Sequence, residues 1–170
     1  MLTVIGGLPA TGKTTVSTAL ARATRASYLR VDTIETTIVR TTVLTHPVGV
    51  VGYAVAFSLA LEQLRLGLDV IAECVNPLKV TRDAWLGVAE EAGVGLVEVE
   101  LICSDEAAHR HRVATREVDI PDLPLPSWEK IQAREYEPWE RDHLVLDTAV
   151  VGIDAAVATI RRAQTVQTGR

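Results

Sequence analysis

The chain opens with Leu2-Thr3-Val4-Ile5-Gly6-Gly7-Leu8-Pro9-Ala10-Thr11-Gly12-Lys13-Thr14-Thr15. A short apolar, β-prone run ends in two glycines, and from Gly7 the spacing G-x-x-x-x-G-K-[ST] is met, with an alanine-rich helical pattern after it. Strand before and helix after make this the phosphate-binding P-loop, or Walker A motif. Successive backbone N–H groups must turn inward around a phosphate chain, which calls for positive φ and close backbone approach at Gly7 and Gly12. The helix that starts near Lys13 aims its unpaired N–H groups and positive dipole end at the same phosphates. Gly7, Leu8, Pro9, Ala10, Thr11, Gly12, Lys13, Thr14 and Thr15 are therefore the candidate nucleotide cradle. Lys13 supplies a point charge to the β- and γ-phosphates and the Thr14 hydroxyl a ligand for Mg²⁺, so ATP and Mg²⁺ are the expected cofactors.

A chain of 170 residues suits one domain over 1–170, long enough to bury about two thirds of its unfolded surface. Its net charge of −5 offers no basic footprint for nucleic acid. Cys74 and Cys103 each end an apolar run and read as buried thiols. A secretory signal would need a basic region and a cleavage site where the P-loop already stands, so a cytoplasmic location is expected. Residues 41–61 carry no Asp, Glu, Lys or Arg, yet they hold several threonines, His46 and Pro47. Their apolar part, from Val48 to Leu61, is shorter than the ~20 residues of a membrane span, so a buried helix is expected and no membrane.

Strand and helix patterns alternate to the end. The expected strands are 2–6, 28–31, 70–72, 96–103 and 144–146. The expected helices are 13–23, one opening at Asp32, 48–66 ended by Gly67, 80–92 closed by Gly93, 105–117, a short one near 127–136, and 154–165 before a polar tail. Alternating β and α units with short turns imply a mostly parallel sheet with helices on both faces. Pro121, Pro124, Pro126 and Pro138 punctuate a stretch that reads as lid and return crossing, about 104–141.

Four residues stand out on local grounds. Glu73 follows Val70-Ile71-Ala72, at the carboxyl end of a buried strand, where ligands of open α/β sheets bind. A lone carboxylate there is costly unless Mg²⁺ or Lys13 relieves it, and a metal role is expected over a structural ion pair. Asp32-Thr33-Ile34-Glu35 is a capping-box variant, with Asp32 as N-cap and Glu35 at N3. Arg82 and Lys79 fall in the opening turn of a helix, where the dipole disfavours cations; an anionic substrate group would explain them, as would solvation of Arg82 near Asp83.

With these residues in view, the chain resembles the small P-loop kinases of metabolites and antibiotics, the group of shikimate, gluconate and chloramphenicol kinases. Val75-Asn76-Pro77, Thr81-Arg82-Asp83-Ala84-Trp85, Cys103-Ser104-Asp105, His109-Arg110-x-Arg112-Val113 and Arg134-Glu135-Tyr136-Glu137-Pro138-Trp139 look more closely like a bacterial family of P-loop kinases often labelled AAA-type ATPases. The resemblance implies a five-stranded parallel sheet in the order 2-3-1-4-5. It also implies transfer of the γ-phosphate of ATP to a hydroxyl of a small molecule; the alternative is an ATP-hydrolysing regulatory switch. Where shikimate kinases carry Asp-x-Asp this chain reads Arg30-Val31-Asp32, and their glycine pair after β3 is replaced by Glu73-Cys74-Val75-Asn76, which argues against shikimate. By the resemblance, Asp32 binds the acceptor hydroxyl and takes its proton. The 48–66 helix with Tyr53 and Phe57 lies where related kinases build the acceptor pocket, with Arg40, His46, Tyr53 and Phe57 as weak pocket candidates, although such an apolar stripe is more often core. The resemblance also implies that at least one of the lid arginines Arg110, Arg112 and Arg116 contacts nucleotide, with Arg110 and Arg112 the nucleotide-binding candidates and Arg116 the one acting on the transferring phosphoryl group; the alternative is that they only complement the helix dipole. Arg112 and Arg116, four residues apart, are expected on one helix face.

Overall fold

A computed structural model of the protein describes residues 1–168, in which the alternation is realised. The order is β1 (Leu2–Gly6), α1 (Lys13–Thr24), β2 (Ser27–Arg30), α2 (Val31–Thr41), α3 (Val51–Arg65), β3 (Val70–Glu73), α4 (Lys79–Ala92), β4 (Leu96–Ile102), α5 (Glu106–Thr115), α6 (Trp128–Gln132), β5 (Leu144–Asp147) and α7 (Ile153–Thr168). The five strands are all parallel, in the order β2-β3-β1-β4-β5, as the resemblance implies.

Period-two alternation in the strands feeds two cores. Leu2, Val4, Val70, Ala72 and Leu29 face α3 and α4, where they meet Ala56, Ala60, Leu64, Trp85 and Val88. Ile5, Ile71, Val97, Val99 and Leu101 point the other way, onto Val16 and Leu20 of α1 and Ala156 and Ile160 of α7. Ile5, Ile71 and Leu101 are wholly buried, each contributing roughly 1.5–3 kcal/mol relative to exposure. Helix α4 stops where Gly93 turns left-handed (φ 66°), its N–H and that of Val94 closing on the carbonyls of Glu90 and Ala89.

Several boundaries differ from the sequence reading, and one changes the chemistry. Helix α2 starts at Val31 with Arg30 as its extended N-cap, so Asp32 sits inside the first turn and caps nothing, and the expected capping box with Glu35 is absent. Helix α3 starts at Val51, after the left-handed Gly49 (φ 63°), where a start at 48 was expected. Helix α5 ends at Thr115, and Arg116 follows in extended conformation, off the face that carries Arg112. Cys74 is buried as expected, but Cys103 lies just past β4 and is partly exposed, against expectation. The expected tail from 166 is helical to Thr168, and 169–170 lie outside the described residues. Among the described residues no helix is long and apolar enough to cross a membrane.

Candidate active site

The carboxyl ends of β1, β2 and β3 bring the candidate groups together. Gly7 leaves β1 at φ 134°, and a Cβ there would collide with the Leu101 carbonyl, so the loop can turn only with glycine. Gly12, at φ 94°, is the N-cap of α1. Inside the loop, Lys13 is 8% exposed and its Nζ donates to the Leu8 carbonyl at 2.7 Å, curled over the space its backbone encloses. Burial pulls the Lys13 pKa down, and the fields of Glu73 and Asp32 push it up while Arg116 adds to the lowering. Four residues that the sequence singles out therefore act on one another electrostatically at a single place.

Glu73 sits beside Ile5 on one side and Arg30 on the other in the strand register. Its Oε1 accepts from the Thr14 hydroxyl at 2.6 Å, and its Oε2 from the Tyr28 hydroxyl. Burial, then Glu73 itself, drives the Tyr28 phenol upward, so it stays a donor. Arg30 Nε lies 3.6 Å from Oε1 and is a buried donor with no hydrogen-bond partner among the described residues. For Mg²⁺ the donor set fits: the Thr14 hydroxyl and the Glu73 carboxylate are hard oxygens held together by the 2.6 Å contact. The described residues hold no group of three or more His, Cys, Asp or Glu able to cage a metal.

Asp32, half-buried on the first turn of α2, makes no capping hydrogen bond, so its carboxylate is not spent on the helix end. One turn on, Glu35 lies over Gly52 of α3, where any Cβ would strike its side chain. Burial and the neighbouring Asp32 carboxylate raise Glu35 to about 7, opposed by Arg134.

The opposite flank of the loop is fastened by residues that the sequence did not point to as fasteners. His109 Nε2–H donates to the Pro9 carbonyl at 2.8 Å, and its ring meets Trp128 edge-on at 5.1 Å, tying α5 and α6 to the P-loop. Arg112 donates to the Thr148 hydroxyl and carbonyl at 2.9 and 3.0 Å, and that hydroxyl donates to Thr11 O at 2.9 Å. Arg116 lines a narrow cleft with Pro9, Ala10, Val113, Leu125, Pro126 and Ile131, so the proline-rich segment roofs the loop. Arg110 is exposed and within the field of Glu129.

Two substrate candidates are corrected. Arg82 is 2% exposed, and its guanidinium donates to the carbonyls of Asn76 (3.1 Å), Pro77 (2.9 Å), Glu137 (2.7 Å) and Pro138 (2.9 Å) while stacking 4.3 Å over Trp139. It clamps the return crossing to the β3–α4 turn with four of its five N–H donors, which answers the dipole problem with carbonyls in place of an anion. Removing it strands the carbonyls of Asn76, Glu137 and Pro138, whereas that of Pro77 keeps the Glu137 N–H at 2.9 Å. Arg82→Met is expected to cost about 2–4 kcal/mol and to lower Tm by roughly 5–15 °C in a thermal melt. Tyr53 is likewise scaffolding: its hydroxyl accepts the Asn76 N–H at 3.0 Å, and its ring packs on Phe57, which abuts Trp85. Lys79 is bonded to Asp83 at 2.6 Å, an ordinary i,i+4 pair, and Arg40 lies 3.4 Å from Asp122.

Comparison with known proteins places this geometry. The profile of the AAA domain family matches residues 2–138. The chain superposes on a kinase candidate from Chloroflexus aurantiacus with TM-score 0.75 and 21% identity, covering 98% of this chain and 96% of the other. A gluconokinase from Sinorhizobium meliloti 1021 matches with TM-score 0.67 and 18% identity, over 98% and 95% of the two chains. An APS kinase from Mycobacterium tuberculosis, solved with AMPPNP and APS, matches with TM-score 0.60 and 15% identity over 95% of each. At these identities the likeness is one of fold. No curated protein matches the sequence significantly.

Proposed function

This chain belongs to the AAA domain family, and we propose that it is an ATP-dependent phosphotransferase that moves the γ-phosphoryl group to a hydroxyl of a small molecule. The observation that carries this reading is Asp32. A carboxylate left free by the early start of α2, half-buried and within the field of Lys13, has the chemistry to receive the proton of an acceptor hydroxyl. In this reading the backbone from Gly7 to Thr15 holds the phosphates, with Lys13 moving from the Leu8 carbonyl onto the β- and γ-phosphates. Thr14 and Glu73 hold Mg²⁺, which neutralises phosphate charge when bound. Arg112 and Arg110 serve the nucleotide, and residues 104–141 form the cover of one domain spanning 1–170, acting in the cytoplasm. Because phosphoryl transfer asks little covalent help of a protein, positioning and charge neutralisation supply the catalysis.

Arg116 is the cover's contribution to the transition state. A planar fork bridges two phosphoryl oxygens, which an ammonium cannot reproduce, so Arg116→Lys should lower kcat at least about tenfold while ATP affinity changes far less. Unchanged kcat would reduce Arg116 to a lining residue. A thermal-shift screen of hydroxylated metabolites and antibiotics, with Mg²⁺ and a non-hydrolysable ATP analogue, tests the function: a true acceptor raises Tm further than the analogue does alone. If Tm responds only to a protein partner, the regulatory switch takes the kinase's place.

A further inference from the structure

The guanidinium of Arg30 is an anomaly in a core it does not need to enter. It is 9% exposed at the carboxyl end of β2, and its two terminal nitrogens are both engaged by the carboxylate of Asp119, one to each oxygen, the longer contact being 3.2 Å. That is the planar fork-on-fork arrangement in which arginine grips a carboxylate or a phosphate. The two ends of the pair are unequal. The Arg30 side chain is 8% exposed and held from behind by Glu73, whereas the Asp119 side chain is 49% exposed on the segment between α5 and the prolines at 121, 124 and 126. The fixed half is the arginine and the removable half is the carboxylate.

The location says which ligand would replace it. The P-loop leaves β1, and Arg112 and Thr148 flank it on the β4–β5 side. Arg30 is on edge strand β2, two strands away in the other direction, about 10 Å at the usual strand spacing. It stands two residues before Asp32 and against Glu73, on the side of the sheet edge where the acceptor must lie if Asp32 is to take its proton. We propose that Arg30 is an anion clamp of the acceptor site, that the acceptor carries a carboxylate or phosphate group besides the hydroxyl that is phosphorylated, and that Asp119 holds the clamp until that group displaces it. The side of the sheet that Arg30 serves rests on the phosphotransfer reading; the clamp itself does not.

The exchange is chemically even: one oxyanion leaves the fork as another enters, so the burial of Arg30 is never uncompensated. It also selects. A neutral polyol cannot displace Asp119, because it would leave the guanidinium unpaired, whereas a hydroxy acid or phosphorylated hydroxy compound inherits both hydrogen bonds. Movement of Asp119 carries the segment that leads into Leu125 and Pro126, so the arrival of acceptor is felt at the roof over Arg116.

The test uses acetate and inorganic phosphate as probes, titrated by calorimetry into the parent, Asp119→Ala, and Asp119→Ala combined with Arg30→Lys, which keeps the charge beside Glu73 but loses the fork. Asp119→Ala frees the clamp and is expected to bind one of the two anions at least about tenfold more tightly than the parent, and the double variant is expected to lose that gain. Loss of the Asp119 charge, whose field also reaches Arg116, is common to both variants, so the difference between them belongs to the fork of Arg30. A gain confined to acetate assigns the acceptor as a hydroxy acid, and a gain confined to phosphate as a phosphorylated compound. If Asp119→Ala only lowers Tm and binds neither anion better than the parent, or if the double variant keeps the gain, Arg30 and Asp119 are a structural pair and the proposal is overturned. No nucleotide and no turnover enter the titration, so its failure is separate from any failure of the kinase reading.

Discussion

Lys13→Ala is expected to weaken ATP binding about 30- to 150-fold and to abolish turnover, with Tm unchanged or slightly raised. The size follows from charge-assisted hydrogen bonds to phosphate, each about 2–3 kcal/mol against water, acting at the β–γ bridge where the transferring charge sits. The stability expectation follows from the opposite side of the same fact. Lys13 is 8% exposed, burial opposes its charged form, and its single hydrogen bond goes to Leu8 O. An alanine there removes a buried amine at the cost of one carbonyl contact, and the helix behind it favours alanine. Calorimetry with ATP and a thermal melt check both halves. An unchanged ATP affinity would contradict the assignment of the loop.

Asp32→Asn is expected to lower kcat about 100- to 10,000-fold, the range in which a positioned base contributes, while the ATP affinity stays within a fewfold of the parent. Asparagine keeps the shape and can still accept a hydrogen bond from the acceptor hydroxyl, so KM for the acceptor should move less than kcat. Because Asp32 does not cap α2, its replacement should leave Tm close to the parent value. The neighbouring Glu35, raised to about 7 by burial and by Asp32, should relax toward the ordinary carboxylate range once the Asp32 charge is gone. Full activity of Asp32→Asn would remove the base from the mechanism.

The fold and the cradle were legible because their signals are local. The loop spacing at Gly7, Gly12, Lys13 and Thr14 carries its own context of strand and helix, and the lengths of the apolar runs fix the alternation. Strand order entered through resemblance, since no residue on β2 or β5 declares its neighbour. What was misread depends on one-residue shifts and on distant partners. A helix beginning at Val31 instead of Asp32 turns an N-cap into a free carboxylate, and a helix ending at Thr115 takes Arg116 off the face of Arg112. Arg82 drew attention for its place in a helix dipole, but the carbonyls that satisfy it at Glu137 and Pro138 lie some 55 residues away in sequence. Arg30 drew notice only as a departure from a pattern; its meaning needs the register that sets it beside Glu73 and the crossing that brings Asp119 to it. The pairs His109 with Pro9 and Thr148 with Thr11 are invisible in the sequence for the same reason.

Phosphorus NMR of the protein with ATP, Mg²⁺ and a panel of hydroxy acids, phosphorylated hydroxy compounds and neutral polyols tests the central claim most directly, because it separates transfer to an alcohol from hydrolysis. A new phosphomonoester is expected to appear with one class of compound at the rate at which ADP appears, and Lys13→Ala and Asp32→Asn should both suppress it. Release of inorganic phosphate alone, at a rate that no added compound changes, would contradict the phosphotransferase assignment.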